Sequence, residues 1–523
     1  MHIIGYGISR KGNIGFYAVN PATGSELEPE YAEATIKEIN DAVLLAENAF
    51  FTYKNKSSAE KANFLEKISD NILLLGDELI LRCIEETGLT KERLVSERDR
   101  TVNQLKLFAS LLREGSWAEA VIDTPDPSRM PVPKPDIRKV NVPRGPVLVF
   151  GAGNFPLAFS VAGVDTASAL AAGCPVVVKG HPCHPGTSEL TGQAIISAAQ
   201  STGMPEGIFS LLHGRSIDIG MTLVNHPKIK AVGFTGSFRG GKSLYDAAVR
   251  RKTPIPVYAE MGSINPVIIL PEAMLQKGEE IAIGLAGSVI LGTGQFCTNP
   301  GIVAFVNSRE TDLFTKKLSK LISETEGGVM LSERIRHNYN YGIENLERIR
   351  EVEILARGKT GSHFCCGIAC LAKTSGYVFV NNTVLSEEIF GPSTIIVEAE
   401  DIDELLNITV SLPGQLTISI HGTENDLDKS RDLIRLAQDK AGRLIFNGFP
   451  TGVEVCSAMH HGGPYPATFD ARNTSVGTEA IKRFVRPLCF QDTPEEILPD
   501  ELKNNNPLDI WRLVDREWTK RSI

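Results

Sequence analysis

The sequence predicts an α/β protein built around a doubly wound, parallel sheet and a second α/β domain, with a short extended ribbon attached. Three observations predict it. Between residues 146 and 258, short apolar runs alternate with helical patterns; a second alternation runs from about 266 to 446; and a proline-rich stretch, 123–145, obeys neither rhythm. Strands alternating with crossover helices form parallel sheets, and such sheets gather their ligands beyond the carboxyl ends of the strands.

Taken in order, the first part of the 523-residue chain reads as mostly helical, with apolar residues at helical spacing over 34–50, 59–75 and 77–86. A further helix over 97–112 puts Arg100 and Gln104 one turn apart on a shared face. Pro125, Pro127, Pro131, Pro133, Pro135 and Pro143 then deny helix and central strand, so 123–145 is a connector or an edge ribbon able to pair with another subunit. Buried parallel strands are expected at 146–150, 175–178, 208–212, 229–233 and 255–258, with helices at 157–172, 186–199, 218–225 and 240–251 between them. In the second section 281–291 reads as a buried helix, and 302–306, 394–397, 416–420 and 443–446 as strands; the tail adds a strand at 483–490.

Composition bounds the function. A net charge of −9 argues against nucleic acid or an anionic membrane as the main partner. No run of eighteen apolar residues occurs, and the first residues lack the charged and apolar regions of a secretory leader, which makes a cytoplasmic protein the expectation. The nine cysteines show no disulfide spacing; Cys365, Cys366 and Cys370 cluster, but no paired CxxC or spaced histidine completes a metal site, and none is expected.

The chemistry centres on Cys297, on a turn of small and polar residues, Gly294-Gln295-Phe296-Cys297-Thr298-Asn299-Pro300, after the apolar run 281–291. A thiolate attacks carbonyl carbon well when a base is near. The turn Gly151-Ala152-Gly153-Asn154-Phe155-Pro156 joins a strand to a helix, and Asn154 can serve as an oxyanion donor or equally as a helix cap. Lys179 ends a strand, where a ribose or phosphate partner or an ordinary solvated lysine would stand. The turn from Phe234 through Gly236, Ser237 and Gly241 can hold a pyrophosphate on a helix N-terminus, though it is not the G-x-G-x-x-G fingerprint. Glu260 is a base for a thiol or a water if partial burial raises its pKa toward neutrality, and a surface carboxylate otherwise.

In this order, Asn154, Lys179, the 236–241 turn, Glu260, Cys297 and the segment Glu388-Ile389-Phe390-Gly391-Pro392 resemble the aldehyde dehydrogenase superfamily over nearly the whole chain. Lys179-Gly180-His181-Pro182, Gly262-Ser263-Ile264-Asn265-Pro266 and 447–453 resemble its α-ketoglutaric semialdehyde and NADP-linked fatty aldehyde branches. The resemblance implies a Rossmann-type cofactor domain (1–122 and 146–260), an α/β catalytic domain (261–474), and an oligomerisation ribbon with the C-terminal tail (123–145 and 475–523).

It also implies roles. Cys297 attacks the aldehyde, Asn154 and the Cys297 N–H hold the oxyanion, and Glu260 activates the hydrolytic water. Lys179 binds the adenine ribose, the turn with Gly236, Ser237 and Gly241 flanks the pyrophosphate, and Glu388 and Phe390 meet the nicotinamide ribose and ring. NAD or NADP is the implied cofactor and a homodimer or homotetramer the implied assembly. Family members that favour NAD often carry a glutamate where Pro182 stands, so a 2′-phosphate escapes a like charge and NADP is slightly favoured, with Arg215 its candidate partner. His461, in the departure His460-His461-Gly462-Gly463, either lines the site and tunes a proton transfer or is structural.

For a semialdehyde carrying a distal carboxylate, Arg100 with Gln104 is the candidate cation; an intersubunit or solvent-facing ion pair is the plain alternative. The sequence therefore predicts oxidation of α-ketoglutaric semialdehyde to 2-oxoglutarate, with a fatty or broad-specificity NADP enzyme as the alternative. A cofactor-independent cysteine hydrolase is the rival from another class.

Overall fold

The structure is a computed structural model describing residues 1–523. A seven-stranded sheet runs, edge to edge, through Val257–Glu260, Ala231–Thr235, Val147–Phe150, Val176–Lys179, Phe209–Leu212, His2–Ile4 and Gly7–Ser9. The first five strands are parallel and fully or nearly fully buried, as continuous Val/Ile/Leu/Ala runs demand. The chain passes from Val147–Phe150 outward through two strands, then returns to build two on the opposite side. The crevice at that reversal lies between the ends of Val147–Phe150 and Ala231–Thr235.

A second seven-stranded sheet orders Glu353–Arg357, Cys370–Ser375, Ser393–Ala399, Ile302–Val306, Val267–Ile269, Gln415–His421 and Ala441–Phe446, all parallel except the first. A third sheet joins Val485–Gln491, Ile137–Pro143, Val121–Asp123, Arg512–Val514 and Glu517–Thr519. The proline-rich region therefore supplies a paired strand, Ile137–Pro143, whose antiparallel partner comes from the tail.

Four expectations need correction. The N-terminal part is not all helical: His2–Ile4 and Gly7–Ser9 extend the first sheet, and Gly15–Val19 pairs with Glu26–Ala32. These strands are three to seven residues long, too short for a periodicity to show. The helix expected from 157 starts at Val164, because the seven preceding residues form successive turns whose backbone is wanted elsewhere. The helix expected from 97 begins six residues earlier, at Lys91, where Thr90 accepts a hydrogen bond from the Arg93 N–H. The helix before the cysteine turn spans Pro271–Ile290, with Pro271 at its first position, and is nearly twice as long as its apolar stretch. The strand at Ile302–Val306 falls where the pattern put it.

Candidate active site

Residues from both large sheets converge on Cys297, and each arrives on a loop held by named groups. The turn Gly151–Pro156 leaves strand Val147–Phe150 at the crevice. Its continuation is gripped by Glu97, a buried carboxylate on helix Lys91–Glu114. Glu97 Oε1 accepts hydrogen bonds from Leu157 N (2.9 Å) and Ala158 N (3.0 Å). Its other oxygen pairs with Arg93 (3.3 Å), which also donates to Asn154 O at 3.3 Å and lies between the Phe155 and Phe296 rings. Asn154 Nδ2 in turn donates to Gln295 O at 3.1 Å, so one amide hydrogen fixes the side chain while the second stays free beside the cysteine turn.

That turn is conformationally forced. Gly292, Thr293 and Gly294 all have positive φ (56°, 57° and 64°), and a Cβ on Gly294 would lie 2.2 Å from the Gly391 backbone. The Gln295 side chain is fixed by Gly292 O, Val329 O and Leu331 N. Asn265, itself at φ 46°, donates to the carbonyls of Cys297 (2.9 Å) and Asn299 (3.0 Å). The Cys297 N–H has no acceptor within the protein. The Cys297 sulfur is thus flanked by two unspent donors, its own N–H and the Asn154 amide.

Glu260 closes strand Val257–Glu260 and is buried, not the surface carboxylate its sequence also allowed. His461 Nε2 lies 3.0 Å from Glu260 Oε1 and 3.4 Å from Cys297 Sγ, while the Ser475 hydroxyl donates to Glu260 Oε2. Burial alone would raise the Glu260 carboxyl, but His461, Ser475 and Cys297 outweigh it and hold the group below the ordinary glutamate value. Burial and the Glu260 charge push the Cys297 thiol well up. The resting cysteine is therefore a protonated thiol next to a charged base, and its activation is a proton transfer over a few ångströms.

Around the crevice, Lys179 is buried, and its ammonium donates to Gly214 O at 2.6 Å; burial lowers it to about 8. Pro182 sits in the next turn, half-buried. Arg215 is committed in part to the N-terminal region, donating to Tyr17 O at 2.6 Å with its guanidinium 5.2 Å from the Phe16 ring.

The Gly236 N–H is spent on Glu260 O, and Gly241 is needed because a Cβ there would meet Met261 Sδ at 2.7 Å. The unspent donors are the Phe238 and Arg239 N–H groups opening helix Phe238–Arg250, which Ser237 caps through Gly240 N. Glu388 and Phe390 line one cleft with Gly294, Phe296 and Asn299. A Cβ on Gly262 would lie 2.3 Å from Glu388 Oε2, so a larger residue there would displace the Glu388 carboxyl group. Free helix N–H groups at a topological switch are the kind of donors that take a phosphate.

Behind the thiol, Arg100 stacks on Phe155 and Phe159 (5.8 and 5.4 Å to the ring centres). Its Nε and Nη2, and Gln104 Nε2, are buried without a hydrogen-bond partner. Within the chain it pairs with no carboxylate. Sequence reasoning missed Glu97, Gln295 and Ser475, which carry no motif of their own. Asn265 lay inside a quoted segment without a role, and only its positive φ distinguishes it.

Two large, mainly parallel sheets that bring a thiol and a buried carboxylate together mark a thiol enzyme, and the chain belongs to the aldehyde dehydrogenase family, whose model matches residues 9–486. It is an enzyme of the NAD- or NADP-dependent aldehyde-oxidising class. It is 47% identical over 95% of its length to alpha-ketoglutaric semialdehyde dehydrogenase 2 of Azospirillum brasilense, covering 95% of that protein. It is 44% identical over 93% of its length to alpha-ketoglutaric semialdehyde dehydrogenase of Acinetobacter baylyi, covering 92% of that chain. Among solved structures it resembles a lactaldehyde dehydrogenase with a TM-score of 0.81 at 20% identity, over 94% of this chain and 98% of that one. No helix is long and apolar enough to cross a membrane.

Proposed function

We propose that this chain oxidises α-ketoglutaric semialdehyde (2,5-dioxopentanoate) to 2-oxoglutarate through a thioester on Cys297. The observation that carries the substrate is the buried trio of Arg100 Nε, Arg100 Nη2 and Gln104 Nε2, all without acceptors, beside the aromatic rings that lead to the thiol. Leaving buried donors unpaired is costly, and a carboxylate answers a guanidinium with two oxygens. The names of the relatives at 47% and 44% identity support the same substrate.

In the mechanism, Cys297 Sγ attacks the aldehyde carbon as its proton passes to the adjoining His461–Glu260 pair. The free Asn154 amide hydrogen and the Cys297 N–H take up the developing oxyanion. The bound nicotinamide supplies the hydride acceptor. Glu260, with His461 against it and Ser475 orienting its other oxygen, then draws a proton from the water that cleaves the thioester. Glu388 would hold the nicotinamide ribose with Phe390 near the ring, and the start of helix Phe238–Arg250, with Ser237 and Gly236, the pyrophosphate. Lys179 would hold the adenine ribose. Pro182 in place of an acidic residue, with Arg215 near, favours NADP slightly.

Residues 1–122 with 146–260 would act as the cofactor domain and 261–474 as the catalytic domain. The exposed edge of Val485–Gln491, in the ribbon sheet, supports a homodimer or homotetramer. The test is reduced-nicotinamide formation from the semialdehyde and from a long aliphatic aldehyde, each with NAD and NADP, beside Cys297→Ala. Turnover favouring the semialdehyde and lost in the variant is expected. Preference for the aliphatic aldehyde would transfer the chain to the fatty or broad-specificity reading, and ester cleavage without reduction to the hydrolase reading.

A further inference from the structure

We infer that the Cys297–His461–Glu260 cluster is also a zinc-binding site, at which Zn²⁺ reversibly shuts the enzyme off. The inference rests on the catalytic reading for its consequence, but not for its geometry. Cys297 Sγ, His461 Nε2 and a Glu260 oxygen lie within 4.8 Å of one another. Thiolate, imidazole and carboxylate are the three ligand types zinc prefers, and three protein ligands with one open position is the usual arrangement of an accessible zinc site.

The spacing is close to what the ion needs. Zinc–ligand lengths of about 2.3 Å to sulfur and about 2.0–2.1 Å to nitrogen and oxygen give tetrahedral edges of about 3.5 Å for S···N and about 3.3 Å for N···O. The existing separations are 3.4 and 3.0 Å. The third edge, from sulfur to the Glu260 oxygen, is within 4.8 Å, a span side-chain rotation can adjust. Binding replaces the thiol proton, which leaves to solvent, and puts the imidazole proton on Nδ1.

The surroundings set the affinity. Ser475 donates to Glu260 Oε2 and fixes that carboxylate, as an outer hydrogen bond does for a metal ligand. His461 Nδ1 is buried with no partner, so the imidazole lacks the corresponding support. A resident metal normally has both. One supported ligand and one unsupported ligand describe an ion that comes and goes, held in competition with the aldehyde for the same sulfur.

The experiment uses the full-length, reduced protein with zinc chloride as the probe and alkylation of Cys297 by iodoacetamide as the readout, followed by peptide mass spectrometry. Zinc is expected to slow alkylation of Cys297 at least tenfold and to stop turnover over the same concentration range, with both restored by EDTA. His461→Gln and Glu260→Gln should each raise the protecting zinc concentration about tenfold or more, and Ser475→Ala by a smaller factor. Cobalt chloride should give a thiolate-to-metal absorption band that Cys297→Ser removes. Equal protection in wild type, His461→Gln and Glu260→Gln would overturn the site, since the thiol alone would then bind. A cobalt band that survives Cys297→Ser would overturn it too, because the ion would sit on other thiols. Turnover measured in EDTA tests the catalytic reading by itself, and alkylation tests the zinc site without any turnover.

Discussion

The site has two halves that differ in how their polar groups are spent. Around Cys297 each functional side chain has an internal partner: His461 bridges sulfur and Glu260, Ser475 holds the carboxylate, and Asn154 is fixed by Gln295, with only the Cys297 N–H, one Asn154 amide hydrogen and His461 Nδ1 left over. Around Arg100 three buried donors have none. The first half is wired for one reaction whatever enters, because proton transfers fail when the partners drift; the second is left incomplete so that only a substrate bringing an acceptor completes it.

The comparison is broken most severely at its reactive end. Cys297→Ala should lower turnover by at least about four orders of magnitude, judged against other nucleophile deletions, with cofactor binding retained in a fluorescence titration. Asn154→Ala, which removes the fixed donor, should cost about 10²–10³ in kcat with little change in KM. At the incomplete end, Arg100→Met should reduce kcat/KM for the carboxylated semialdehyde by about 30-fold or more while sparing an aliphatic aldehyde. Equal losses on both substrates would mean that Arg100 supports the fold and not the carboxylate.

Two smaller effects sharpen the contrast. Lys179 is held near 8 by burial, so its ammonium is present at neutral pH and lost as pH rises through 8. If it meets a ribose 2′-phosphate, KM for NADP should climb above that pH more steeply than KM for NAD, and Lys179→Arg should flatten the rise. Glu97→Gln retains an oxygen for Leu157 N and Ala158 N but weakens the Arg93 pair. It should lower kcat only several-fold, whereas Glu97→Ala, by freeing the loop that carries Asn154, should approach the loss caused by Asn154→Ala itself.

Much of this architecture is legible in the sequence because it rests on local signals. Buried parallel strands such as Ile302–Val306 announce themselves as unbroken apolar runs, and glycine turns mark where they end. Cys297 and Glu260 do fall together, with Asn154 tied to the cysteine turn, whereas His461, as readily a structural histidine by its sequence, is found between the thiol and the carboxylate. What stays hidden is whatever depends on residues far apart in the chain. Glu97 grips a loop about 60 positions away, Gln295 meets Asn154 from 141 positions away, and Ser475 reaches Glu260 across 215. A lone Ser or Gln has no pattern that reports such a partner. The turns at 157–163 replaced an expected helix for the same reason: two of their N–H groups are claimed by Glu97.

The ribbon sheet has a consequence for how the protein is made. Strand Ile137–Pro143 pairs on one side with the nearby Val121–Asp123, but its other edge is closed only by Val485–Gln491, and just before that strand the Phe484 carbonyl accepts from Cys174, 310 residues earlier. A ribosome must therefore deliver almost the whole chain before this edge can be closed, and until then the growing polypeptide carries a strand with one open, hydrogen-bond-hungry edge. Translation products that stop short of residue 485 would keep that edge open and become clients for chaperones or seeds of aggregation, even with both large sheets complete.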